Sequence, residues 1–245
     1  TGDYNVGLGD EALTANTTGS DNIAMGRQSL SVNTTGSSNS ALGYRALMNN
    51  STGSNNNAVG LNALYANTTA SDNTAIGKDA LKANTTGTRN VAVGNEALDA
   101  NVTGNDNVAM GRNSLSASTT TDNTAVGASA LRDSTSGAQN TAVGAYCLRR
   151  NTAGADNVSV GAYSLDANTT ANNNTSIGAF AMTANTTGGD NVALGRVALG
   201  ANISGNGNVA IGYACLDANT TADSNTGVGK HCLTTNTTGN ENVAV

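Results

Sequence analysis

The sequence predicts an all-β solenoid, a parallel β-roll of stacked 17-residue rungs. Three observations carry that prediction. A glycine returns at a fixed spacing along the whole chain. A short, partly β-branched segment bounded by Asn and Gly precedes it. A leucine follows it four residues later in every unit but one, where Met182 takes the place. A fixed short period means a stack of like units, so the repeat outranks the usual estimate of domain number from length.

The glycine stands at Gly9, Gly26, Gly43, Gly60, Gly77, Gly94 and Gly111, every 17 residues, and again at Gly127, Gly144, Gly161, Gly178, Gly195, Gly212 and Gly229. The step from Gly111 to Gly127 is 16, one residue having been deleted from the turn within 118–122. About fourteen rungs at ~4.8 Å each would extend roughly 65–70 Å. The whole of 1–245 is expected to be one repeat array. Both ends fall inside a unit without an atypical cap, which predicts a window of a longer fibre.

Four residues before the glycine stands an asparagine in every unit, including Asn22, Asn39, Asn56, Asn73, Asn90, Asn107, Asn123 and Asn140. Between Asn and Gly lie a mostly β-branched residue, a tiny one and an aliphatic, as in Val91, Ala92 and Val93. Such a segment reads as a short strand with alternating faces. Stacked in register, the asparagines would form an amide ladder and the glycines a column of bends. The tiny residue implies that another backbone approaches closely: the far wall of the same chain, or further copies around a common axis.

After the glycine come two variable polar residues, a small one and Leu (Asn95, Glu96, Ala97, Leu98). A variable polar residue does not share a strand face with a recurrent core leucine. A single helical or 3₁₀ turn is therefore expected, with a bent second strand as the alternative. The polar arc that follows, Asn84, Thr85, Thr86, Gly87 in one unit, has turn chemistry. It carries a second Asn column at Asn16, Asn33, Asn50, Asn67, Asn84 and Asn101, broken by Ser118 and Ser134.

Composition excludes several classes. Net charge is −6 with 11% charged residues, so there is no basic footprint for nucleic acid. No apolar run approaches the ~20 residues that span a bilayer as a helix. Aromatics are 3% and Trp and Pro are absent, so only a thin core of Ala, Val, Ile and Leu is available. A thin stack gains from association, and self-assembly as a homotrimer or filament is expected.

The run N-V-A-V-G, with variants NIAMG, NTAIG and NVALG, resembles the repeat of trimeric autotransporter (YadA-like) adhesin heads. The longer unit N-T-A-V-G-x-x-A-L-x-x-N-T-T-G resembles repeat arrays in long bacteriophage tail fibres. The adhesin units are shorter than 17 residues. The resemblance implies a homotrimeric fibre.

No catalytic, metal or cofactor set emerges. His231 is the only histidine and reads as a solvated surface residue. Asp21, Asp72, Asp106, Asp156 and Asp190 precede the first Asn column, but the glycine-rich calcium repeat is absent. Cys147, Cys215 and Cys232 occupy the small-residue slot and read as buried substitutes for Ala. The irregular surface feature is Tyr146, Tyr163 and Phe180, one outward slot on three successive rungs, near Arg132, Arg149 and Arg150. It would be a stabilising ladder or a contact for a receptor or glycan.

The expected function is a shaft segment of an extracellular or virion fibre that projects a receptor-binding tip. The alternative is a surface adhesin binding host or matrix through its side. A remote alternative is ice binding by the adjacent Thr columns at Thr17, Thr34, Thr68, Thr85 and Thr18, Thr35, Thr69, Thr86.

Overall fold

A computed structural model describes residues 2–245. The chain forms two compact units, the first up to Asp122 and the second from Asn123 to Val245. The boundary falls at the shortened rung. The first unit carries β1 (Val6–Leu8), β2 (Ile23–Met25), β3 (Ser40–Leu42), β4 (Asn57–Val59), β5 (Thr74–Ile76), β6 (Val91–Val93) and β7 (Val108–Met110). The second carries β8 (Thr124–Val126), β9 (Thr141–Val143), β10 (Val158–Val160), β11 (Thr175–Ile177), β12 (Val192–Leu194), β13 (Val209–Ile211), β14 (Thr226–Val228) and β15 (Val243–Ala244).

Within each unit every strand pairs in parallel with the next, and the register is the sequence repeat itself. Val91, Ala92 and Val93 of β6 lie on Thr74, Ala75 and Ile76 of β5. Val91 N–H donates to Asn107 O, and Gly94 N–H donates to Ile76 O, both at 2.8 Å. The backbone is fully used: successive groups bond alternately to the rung above and the rung below.

The tiny residue of each strand faces inward and is buried, as at Ala58, Ala75, Ala92, Ala142 and Ala193. It packs on its own chain. A Cβ built on Gly227, in that slot, would meet Cys215 Sγ at 2.6 Å and Leu216 Cδ1 at 3.6 Å. So of the two alternatives the wall that approaches this face is the same chain's, formed by its small-residue and leucine columns. The core of a rung is three side chains: the tiny residue, the small residue and the leucine. Leu30, Leu47, Leu64, Leu81, Leu98 and Leu115 are fully buried in the first unit, and Leu131, Leu148, Leu165, Met182, Leu199 and Leu216 in the second.

The stretch after the glycine is neither a helical turn nor a second strand, a correction to the expectation. It is two successive turns, closed by Ala97 N–H to Gly94 O and Asn101 N–H to Leu98 O, at 3.4 and 3.3 Å. Glu96 has φ +53° and Leu98 φ +52°, and this positive-φ pair recurs rung after rung. A helix forbids those dihedrals. They are held by inter-rung bonds, Glu96 N–H to Lys78 O at 3.0 Å and Leu98 N–H to Ser114 O at 3.0 Å. The reversal turns Ala97 and Leu98 inward while Asn95 stays exposed and Glu96 is half-buried. The polar pair does not always face water, since Asp79 is buried. Burial alone would raise its carboxyl. Hydrogen bonds from Asn62 and Lys78 and the charge of Lys82 outweigh that and hold it below the ordinary range.

The bend glycines are required on two counts. Gly94 has φ +140°, and a Cβ on it would stand 2.5 Å from Gly111 O. Both Asn columns are buried and form ladders. Asn90 backbone N–H and Nδ2 donate to Asn73 Oδ1 at 3.0 and 3.2 Å, and Nδ2 also donates to Gly104 O at 2.8 Å. Its own Oδ1 accepts from Asn107 N and Nδ2. One carboxamide thus fills its donor and acceptor capacity. In the second column Asn84 Nδ2 reaches Asn67 Oδ1 at 3.0 Å and Gly87 O at 2.9 Å.

Two substitutions test this. Asn90→Leu removes the acceptor of Asn107 N–H and Nδ2 and one of the two donors to Gly104 O, and is expected to destabilise the chain by about 2–4 kcal/mol. Gly94→Ala combines positive-φ strain with a backbone clash and should cost about 3 kcal/mol or more. Urea unfolding followed by circular dichroism measures both. A loss below about 1 kcal/mol for either would contradict the ladder or the bend assigned here.

Candidate functional site

The recurrent Asn and Gly columns are saturated by the stacking itself, which leaves the variable outward slots as the places where a surface can differ from rung to rung. The slot two residues after the glycine is the most varied. In the second unit it reads Ser129, Tyr146, Tyr163, Phe180, Val197, Ala214 and His231.

Tyr146, Tyr163 and Phe180 come together as the sequence predicts. Their ring centroids are 5.0 and 5.3 Å apart with interplanar angles of 18° and 3°. Rung spacing imposes that separation, which is the range of favourable aromatic stacking. Each holds φ between +56° and +58°, the same reversal as in other rungs. Of the three neighbouring arginines, only Arg149 joins them. Its guanidinium carbon lies 5.3 Å from the Tyr146 centroid, and its Nε lies 3.0 Å from Asp166 Oδ1. Arg132 instead pairs with Asp133 at 2.7 Å, and Arg150 is exposed.

Past Phe180 the same slot narrows to Val197 and Ala214, then widens at His231. Between the two lies an open cavity of about 580 Å³, lined among others by Phe180, Arg196, Val197, Tyr213, Asp217 and His231. His231 is exposed, and it also meets Tyr213 edge-on with centroids 5.2 Å apart. Sequence reasoning missed this feature. Its signal was the fall in side-chain volume along one column directly after three aromatics.

The remaining candidates are taken up by the stack. Asp106 pairs with Arg89 Nε at 2.7 Å, and Asp72 and Asp190 accept from Asn55 and Asn173. Among the described residues no three His, Cys, Asp or Glu side chains converge as a metal set. The hydroxyls of Thr17, Thr34, Thr68 and Thr85 donate to carbonyls of the next rung at 2.8–3.2 Å, as in Thr17 Oγ1 to Thr34 O. These hydroxyls are committed to backbone carbonyls along the stack. No described helix is long and apolar enough to cross a membrane.

The three cysteines are free thiols, and Cys147 and Cys215 are buried. Burial pushes the thiols of Cys147 and Cys215 up to about 11. Both are therefore protonated and unreactive at pH 8. Iodoacetamide on the native chain at pH 8 should label Cys232 first and reach Cys147 and Cys215 only after unfolding. Mass spectrometry of tryptic peptides reads this out, and early labelling of Cys147 would contradict its burial.

The aromatic ladder makes a second prediction. Tyr163→Ala removes both stacking contacts and should destabilise the chain by about 1–3 kcal/mol, whereas Tyr163→Phe should change it by less than about 0.5 kcal/mol. Thermal unfolding of the two variants checks the pair. The sequence matches no known protein-family model, and comparison with curated proteins likewise finds no match.

Proposed function

We propose that this chain is a structural shaft segment of an extracellular or virion fibre, of the bacteriophage tail-fibre kind, that self-assembles as a homotrimer and aids host attachment by projecting a binding tip. The observation that carries the reading is the outer face of the strands. The aliphatic before each glycine points away from the core and is exposed or half-buried. Leu8, Leu42, Val59, Ile76 and Met110 of the first unit are 37–65% exposed, and Ile177 and Leu194 of the second are 37 and 41% exposed. A second outward column, three residues before the glycine, adds Val6, Ile23 and Val158.

Isolated exposed aliphatics are ordinary. A contiguous column repeated at every rung is an interaction surface. Its natural occupant is an identical column, because only a second copy presents the same apolar groups at the same rung spacing. Such contacts repeat with the stack, so affinity accumulates along its length. The number three comes from the resemblance to the YadA-like heads. A fibre built this way works through stiffness and reach, and it needs no converging pocket along the shaft.

The adhesin reading shares this assembly and differs in using the side of the shaft as a contact. It is supported by the exposed aromatics of the second unit. Ice binding has less support, since one of its threonine columns spends its hydroxyls on the backbone.

Sedimentation equilibrium at micromolar concentration tests the assembly. The expected mass is three times the protomer's 24.2 kDa. Ile76→Asp and Val93→Asp should shift the particle to a lower oligomer without loss of the β circular-dichroism signal, because each side chain is outward in one copy and covered in the assembly. A stable monomer of the unsubstituted chain would overturn the homotrimer.

A further inference from the structure

We propose that the cavity between Phe180 and His231 is a binding site for a pyranose saccharide that carries a carboxylate. The inference goes beyond the shaft reading and needs only one copy of the chain.

The site is a gap in a ladder. Rings stack at 5.0 and 5.3 Å along Tyr146, Tyr163 and Phe180, and then the slot is vacated by Val197 and Ala214. Phe180, 39% exposed, is left with one ring face uncovered on the side of the gap. Gly200 and Ala201 keep the floor low. The volume, about 580 Å³, lies within the usual ~300–1,000 Å³ of small-ligand sites.

Val197 marks the gap independently. It holds φ +54°, and it is the only β-branched residue among the described non-glycine residues with positive φ. The other rungs place unbranched, aromatic or small side chains there. A β-branched residue at positive φ is a strained choice, and strain of this kind gathers at functional positions. An aromatic would both fit the dihedral and continue the ladder.

The walls supply the chemistry. Tyr213 stands exposed, with Arg196 Cζ 5.9 Å and Lys230 Nζ 5.8 Å from its centroid. Neither cation forms an ion pair with a described carboxylate, nor does Asp217 with a described cation. Arg196 and Asp217 line the cavity, and Lys230, over Tyr213 but outside the lining, adds a second cation beside it on a chain of net charge −6. An anionic ligand is favoured there. A pyranose has C–H groups on its face to lie on Phe180 or Tyr213, whose ring faces are electron-rich. Its hydroxyls need donors and an acceptor together, and Arg196, His231 and Asp217 provide both. A partner's aromatic side chain would fill the gap but leave Asp217 unmatched.

The full chain is titrated with glucuronate, glucose and N-acetyltyrosinamide in separate experiments, read by saturation-transfer NMR and tyrosine fluorescence. Glucuronate should bind with a Kd of about millimolar order, at least about tenfold tighter than glucose. Val197→Phe should abolish glucuronate binding while raising the melting temperature, since it closes the gap and extends the ladder. Tyr213→Ala should weaken binding at least about tenfold. Arg196→Gln should bring glucuronate down to the level of glucose. Tyr146→Ala, at the far end of the ladder, should leave binding unchanged. The proposal is overturned if glucuronate shows no saturable binding, if binding survives Val197→Phe, or if N-acetyltyrosinamide binds more tightly than glucuronate.

Discussion

The structure depends on like lying on like. Every rung repeats at 17 residues within a unit, so each backbone and amide group finds an identical group one rung away. A single rung could not stand alone. Its apolar core is only two small side chains and one leucine, while fixing 17 residues costs about 1–2 kcal/mol each in backbone entropy. The gain comes from repetition, because each added rung closes another set of ladder bonds without opening a new surface. The Asn columns matter most here. A buried carboxamide that is half satisfied is a liability, and one stacked on its copy is fully used.

That constraint explains why variation is confined to certain slots. Positions that touch the neighbouring rung through backbone or amide bonds cannot change without orphaning a partner. Positions whose side chains leave the stack are free, and there the chain carries aromatics, charges or small residues. The outer aliphatic column and the column two residues after the glycine differ in kind. The first is uniform, which suits association with copies. The second changes from rung to rung, which suits a local feature such as the gap beside Phe180. One backbone repeat therefore carries a uniform outer aliphatic column and a locally varied one.

Positive φ is the device that separates these faces. Leucine and many polar residues adopt φ near +50 to +60° in every rung, a conformation uncommon for non-glycine residues. Inter-rung hydrogen bonds hold them there. The reversal lets adjacent residues such as Phe180 and Ala181 point to opposite environments within one tight bend, where a helix would need a full turn. The same geometry sets a limit on residue type, and Val197 is the place where that limit is strained.

The sequence by itself determined the period, the strand position, the in-register stacking, the first Asn ladder, the second Asn column and the inward leucine, because each follows from one repeating pattern of side-chain size and polarity. It also placed Tyr146, Tyr163 and Phe180 in one slot, since equal spacing from the glycine suffices for that. Only the tertiary structure decided the shape of the stretch after the glycine. Pattern reasoning offers helix or strand, and alternating positive φ sustained by the neighbouring rung belongs to neither. Only the structure assigned the faces of the strand, since a tiny residue and an aliphatic read equally well as core until the leucine column is seen to occupy one side. The gap between Phe180 and His231 was likewise invisible, because a cavity is defined by what several rungs leave empty and not by any residue that the sequence displays.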